Sequence, residues 1–171
     1  IRKLNGYLPV ATQEWESEGL HYTEEAFATL LRGPLSPGDP ARSEQTSAVL
    51  MLKLSATNAA ANSQTAHVWI SNDPNESLSL TGNLISGDGK VRAQIEIPNG
   101  ASMQASEVPA SDTQTHGIHV NFEVRPGSTA SVLMKLPFVS DLPANEAGDL
   151  TRLQYEPERS RVVRYWEAIV A

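Results

Sequence analysis

Glu14, Glu16 and Glu18 recur at every second position of TQEWESE, and Glu24 and Glu25 stand side by side a few residues later. Glycosidic hydrolysis needs two carboxyl groups held about 5–10 Å apart, one of them with a raised pKa. A period of two puts Glu14, Glu16 and Glu18 on one strand face and turns Trp15, with Ser17, to the inner one. Glu24 and Glu25 point to opposite sides of an extended chain. The triplet could touch sugar hydroxyls, but a solvated strand face accounts for it without chemistry.

The histidines make a weaker case. His116 and His119 of HGIH lie three residues apart, on opposite faces of a strand unless Gly117 bends it, and no third metal ligand is suggested. His21 and His67 offer less. Serine, histidine and aspartate are all present, yet no nucleophile elbow accompanies them. GDGK lacks the spacing and following helix of a phosphate loop, so Asp88-Gly89 reads as a hairpin turn. Asp73, Asn75 and Glu76 could wrap calcium, although NDPNES has the composition of a turn held by its own side chains. Asn75-Glu76-Ser77 also matches a glycosylation sequon, which is discounted here.

Exposed aromatics are sugar platforms, because pyranose C–H groups stack on π faces. Trp69, sharing a strand face with His67 and Ser71, is the carbohydrate-binding candidate; packing claims most of Trp15, Phe27 and Phe122. No cofactor is implied.

The 171 residues, 40% hydrophobic, suffice for one sizeable core. A net charge of −7 argues against nucleic acid or an anionic membrane surface, and leaves neutral sugars unaffected. No apolar run approaches the roughly 20 residues that span a bilayer, so no membrane insertion is expected. Without cysteine there is neither a disulfide framework nor a thiolate metal site, which fits a reducing cytoplasm as well as export without disulfides. The chain opens on Ile1 rather than Met, so an upstream piece is expected to have been removed; if it was a signal, the location is periplasmic or extracellular.

Short strand-like runs divided by turn signals position these residues. YLPVATQEWESEGLHYTEEAFATLL reads as a hairpin turning at ESEG, where Gly19 takes a positive φ. RGPLSPGDPARSEQT, with Pro34, Pro37, Gly38 and Pro40, is a long loop. SAVLMLKLSATN is nearly continuous in apolar residues, as expected of a central strand covered on both faces, and AHVWIS fits a strand beside it. In GIHVNFEV, Ile118, Val120, Phe122 and Val124 share the buried face. The pattern predicts an all-β antiparallel sandwich over residues 1–142.

Residues 143–171 change period. Pro157 suits a helix first turn, and Val162, Tyr165, Trp166 and Ile169 form one apolar stripe, predicting an amphipathic helix from about Pro157 to Val170. Arg159, Ser160, Arg164 and Glu167 fall on its other side, and Glu158 with Arg161 is spaced for an i,i+3 pair. The stripe, rather than the charges, is expected to hold it. It can pack back on the sandwich or lead into a further helical domain.

The runs NGYLPV, GLHYTEEAFATLL, GPLSPGDPARSEQTSAVLMLKLSATN, TAHVWI, SVLMKLPF and LTRLQYEPERSRVVRYWEAIVA together resemble the N-terminal β-sandwich, or supersandwich, of bacterial six-hairpin glycosidase-like proteins. The resemblance spans almost the whole chain and rests on strand patterns and a helix rather than catalytic motifs. It implies a linker helix leading into an (α/α)6 barrel that holds the catalytic carboxylates, so no catalytic residue is carried over here. The expected role is a non-catalytic accessory domain packing against that C-terminal helical domain through Val162, Tyr165, Trp166 and Ile169. The rival readings are a carbohydrate-binding module using Trp69 or the 32–46 loop, a structural subunit adding IRKLNGYLPV as a strand to a neighbour, and a self-contained enzyme.

Overall fold

A computed structural model of the chain describes residues 1–33, 35–36, 47–71, 78–107, 116–138, 142 and 147–170, without the side chains of Glu107 and His116. Most of the long loop, and the Asp73, Asn75 and Glu76 turn with its sequon, lie outside these. The fold is an all-β antiparallel sandwich with helices at its C-terminal end. Its elements are β1 (Arg2–Lys3), β2 (Val10–Ser17), β3 (Leu20–Leu30), β4 (Ala48–Asn58), β5 (Gln64–Ser71), β6 (Leu78–Thr81), β7 (Leu84–Gly87), β8 (Lys90–Glu96), β9 (Ser102–Glu107), β10 (His116–Val124) and β11 (Thr129–Pro137), then α1 (Ala147–Arg152) and α2 (Tyr155–Val170). An eight-stranded sheet runs β1-β2-β3-β4-β11-β8-β7-β6, and a three-stranded sheet runs β5-β10-β9.

Two hairpins have the turn chemistry expected of them. Glu18 (φ 52°) with Gly19 (φ 79°), and Asp88 (φ 50°) with Gly89 (φ 74°), take the paired positive angles that match strand twist in a two-residue turn. The first turn corrects the Glu14-Glu16-Glu18 face: β2 ends at Ser17, and Glu18 belongs to the turn. SLSLTGNLIS folds on itself as β6 and β7 about Gly82 (φ 60°).

β4 lies between β3 and β11 and is covered on both faces, though by different partners at its two ends. Val49 and Met51 join a cluster with Leu150, Leu153, Tyr155 and Val162 from the helical segment. Leu54 and Ala56 join a second cluster with Ala66, Val68, Val120 and Phe122 of the small sheet. The large sheet is thus the middle of three layers, with a helix face and a sandwich face. A bulge between Ile85 and Ser86 makes Arg92 the extra residue of β8, so that Val91 turns to the helix cluster while Ala93 and Ile95 serve the sandwich cluster.

β5 does not lie beside β4, as AHVWIS suggested, but crosses to the other sheet and pairs with β10. The reason is Asn58, which is completely buried. Its Nδ2 donates to the carbonyls of Asn62 and Val124, each at 2.8 Å, while its Oδ1 accepts the Ala60 N–H at 2.8 Å. These bonds make a corner that carries the chain from one sheet to the other. The N-terminal segment stays with its own sheet, Arg2 and Lys3 pairing with Thr12 and Ala11.

Candidate functional site

Among the described residues, two surfaces bring together chemistry-bearing side chains: the helix α2, and a cleft between β5 and the large sheet.

α2 starts at Tyr155, two residues before the predicted Pro157, with the Gln154 carbonyl accepting the Glu158 N–H at 3.0 Å. Pro157 falls in the first turn, where its missing N–H costs no intrahelical bond. The preceding α1 went unrecognised because six residues are too few for a helical period to show. Along α2, burial changes midway. Tyr155, Glu158 and Val162 are buried, Val162 completely, whereas Trp166, Ile169 and Val170 are 37%, 47% and 58% exposed. Tyr165 is half-buried and meets the Trp166 ring edge-on at 5.4 Å. The predicted stripe therefore divides: Val162 sits in this chain's own core, and Trp166 and Ile169 face water.

Charges hold the inner half more than the sequence suggested. Arg159, expected to face outward, grips Glu25 of β3 with two bonds, Nε to Oε1 at 2.6 Å and Nη2 to Oε2 at 2.9 Å. The Tyr155 hydroxyl donates to Glu25 Oε1 at 2.9 Å, and its ring meets Phe27 edge-on at 5.1 Å. Burial works to raise the Glu25 pKa, but the bonds from Arg159 and Tyr155 outweigh it and hold the carboxyl below its ordinary range. The same burial, with the Glu25 bond, pushes the Tyr155 phenol well above its ordinary value. One turn on, buried Glu158 accepts the Thr29 hydroxyl at 2.8 Å and Arg161 Nη1 at 2.8 Å. Lys53 Nζ reaches Glu156 at 3.0 Å, and Arg32 reaches Asp149 of α1 at 2.5 Å. Under α1, buried Lys135 donates to Gln94 at 3.2 Å and pairs with Glu96 at 2.5 Å, while Gln94 donates to Thr151 at 2.8 Å. A paired, ionised Glu25 is the opposite of a proton-donating glycosidase acid.

The cleft lies on the sandwich face. Trp15 and Tyr22 are cross-strand partners of β2 and β3, their rings parallel within 9° at 5.4 Å. Leu52, Leu54 and Met134 form the floor, and the β5 residues His67, Val68 and Trp69 form the opposite wall. Ser17, Glu18 and Glu24 complete a space of about 380 Å³. Trp15 is turned to the sandwich side with its partner Tyr22, but it stays 38% exposed whereas Tyr22 is buried. Burial, and after it the nearby Glu18, raise the Tyr22 phenol pKa against the lowering effect of the His67 backbone N–H.

Of the predicted sugar contacts, Trp69 and His67 line this cleft and Ser71 does not, although it is exposed on the same strand. Trp69 is half-buried, its ring parallel to His119 at 4.1 Å. His67 Nδ1 lies 3.0 Å from His119 Nε2. Burial, then the neighbouring His67, lower the His119 pKa. This diagonal pair went unforeseen because it arises from the β5–β10 register, which places His119 opposite Trp69 and Asn121 opposite His67. The Trp15–Tyr22 pair was legible: both residues stand three rungs from the Glu18-Gly19 turn. No group of three or more metal-ligating side chains occurs among the described residues. No protein-family model matches the chain, and no curated protein is similar to it.

Proposed function

We propose that this chain is a non-catalytic accessory β-sandwich of a carbohydrate-active protein, and that the outer half of α2 docks against a helical domain of the same protein. The observation that carries this reading is the divided burial of α2. Its first turns are bolted to β3 by Glu25–Arg159, Glu25–Tyr155 and Thr29–Glu158, which sets the helix direction. Its last turns then present Trp166, Ile169 and Val170 to water. An apolar end on a rigidly aimed helix suits packing against further helices, where Trp166 can bury a large area. The carbohydrate context rests on the resemblance to six-hairpin glycosidase-like proteins, and catalysis is assigned to the helical domain.

The test compares this 18.5 kDa chain with the intact source protein by mass and by amide hydrogen exchange over residues 163–170. A source protein larger by tens of kDa, in which those amides exchange much more slowly than in the chain alone, supports docking. Equal masses, or equally fast exchange in both, overturn it. Turnover of a glycoside by this chain alone also sinks the accessory assignment.

A further inference from the structure

We propose that the cleft between β5 and the sandwich face of the large sheet binds an uncharged pyranose ring, stacked on Trp15 and hydrogen-bonded by Glu18 and Glu24. The inference stands on the cleft geometry and does not depend on the docking of α2.

The first reason is shape. Trp15 is 38% exposed and lies stacked on buried Tyr22 at 5.4 Å, so the aromatic wall is one flat ring face rather than rings converging on a point. Such a wall suits the C–H face of a sugar ring, whereas a compact cation is better held by several ring faces aimed at one centre. The space of about 380 Å³ falls within the range of small-ligand pockets, about 300–1,000 Å³.

The second reason is polarity. Beside an apolar floor of Leu52 and Leu54, the cleft offers two carboxylates as acceptors, with Ser17 and His67 at hand. Sugar hydroxyls are the donors that such acceptors need. An anionic ligand would meet Glu18 and Glu24 on a chain whose net charge is −7, and would be repelled.

The chain contains three tryptophans, and two of them, Trp15 and Trp69, line the cleft. In a Trp166→Phe background, tryptophan fluorescence therefore reports the cleft alone. Cellotriose, maltotriose and triacetylchitotriose are titrated in turn, with trigalacturonic acid and tetramethylammonium as controls. At least one neutral trisaccharide is expected to shift the emission with a Kd below about 1 mM. Glu24→Gln should weaken that sugar about tenfold or more, by removing a charge-assisted bond while the circular dichroism spectrum stays unchanged. Trigalacturonic acid should bind at least about tenfold more weakly than the neutral sugar. Three results would each overturn the proposal: no response to any neutral trisaccharide at about 10 mM, an equal response to trigalacturonic acid or to tetramethylammonium, or unchanged affinity in Glu24→Gln.

Discussion

The large sheet is only partly covered on each face, and its two uncovered regions differ. On the helix face, beyond the reach of α2, the exposed rows are hydroxyls: Ser55 bonds Ser131 at 2.9 Å, and Thr57 bonds Thr129 at 2.8 Å. Thr23 and His21 extend these rows across β3. On the sandwich face, beyond β5, the uncovered residues are Trp15 and Leu50, each 38% exposed, with Leu52 half-buried beside them. One surface is finished against water, with its polar groups paired across strands. The other leaves aromatic and aliphatic area open, which marks a place for a partner or ligand. α2 repeats the contrast along one helix, from a buried, ion-paired inner half to an apolar outer half.

Four measurements break or sharpen this comparison. The largest effect belongs to the covered part of the helix face, where Leu150→Ala should lower unfolding free energy by about 2–5 kcal/mol in urea denaturation. A loss below about 1 kcal/mol would mean that α1 is not part of the core.

Next comes Glu25→Gln, which removes the carboxylate shared by Arg159 and Tyr155 and should cost about 1–3 kcal/mol near neutral pH. The sign with pH follows from the lowered Glu25 pKa. Its contribution is fully present above the ordinary carboxylate value, about 4.3, and is lost as the pH falls through the lower folded-state value. The gap between wild type and Glu25→Gln should therefore close on acidification. A gap that widened would contradict the ion pair.

Trp15→Ala should cost about 0.5–1.5 kcal/mol, the value of a ring stack in a half-open site, by the same assay. A loss of about 3 kcal/mol or more would show that Trp15 is core and the cleft closed. The smallest effects belong to the finished surface and the outer helix. Ser55→Ala, Thr57→Val and Trp166→Ala should each stay within about 0.5 kcal/mol of wild type in this chain. A clear destabilisation by Trp166→Ala would place that ring in this chain's own core and count against its role in docking.

Local signals of period and turn type were legible. The alternation of Ile118, Val120, Phe122 and Val124 marked four positions that are all 3% exposed or less. The Asp88-Gly89 hairpin and the terminal helix also follow from sequence, the helix to within two residues of its start. What failed was anything set by which strand meets which. β5 looks like a neighbour of β4 until Asn58 is seen binding Val124, a residue 66 positions away. Arg159 looks like a solvent-facing charge until β3 brings Glu25 beneath it. β9, whose SMQASE carries little apolar pattern, was not singled out at all.

For this protein the sequence alone determined the strand and helix periods, the positive-φ turns, the acidic surface and the absence of cysteine chemistry, because each depends on residues a few positions apart or on composition. Only the tertiary structure decided that a three-stranded sheet packs on an eight-stranded one, leaving Trp15 exposed in an open cleft above buried Tyr22. It also decided that α2 is half buried and half presented, because burial depends on which distant surface arrives to exclude water.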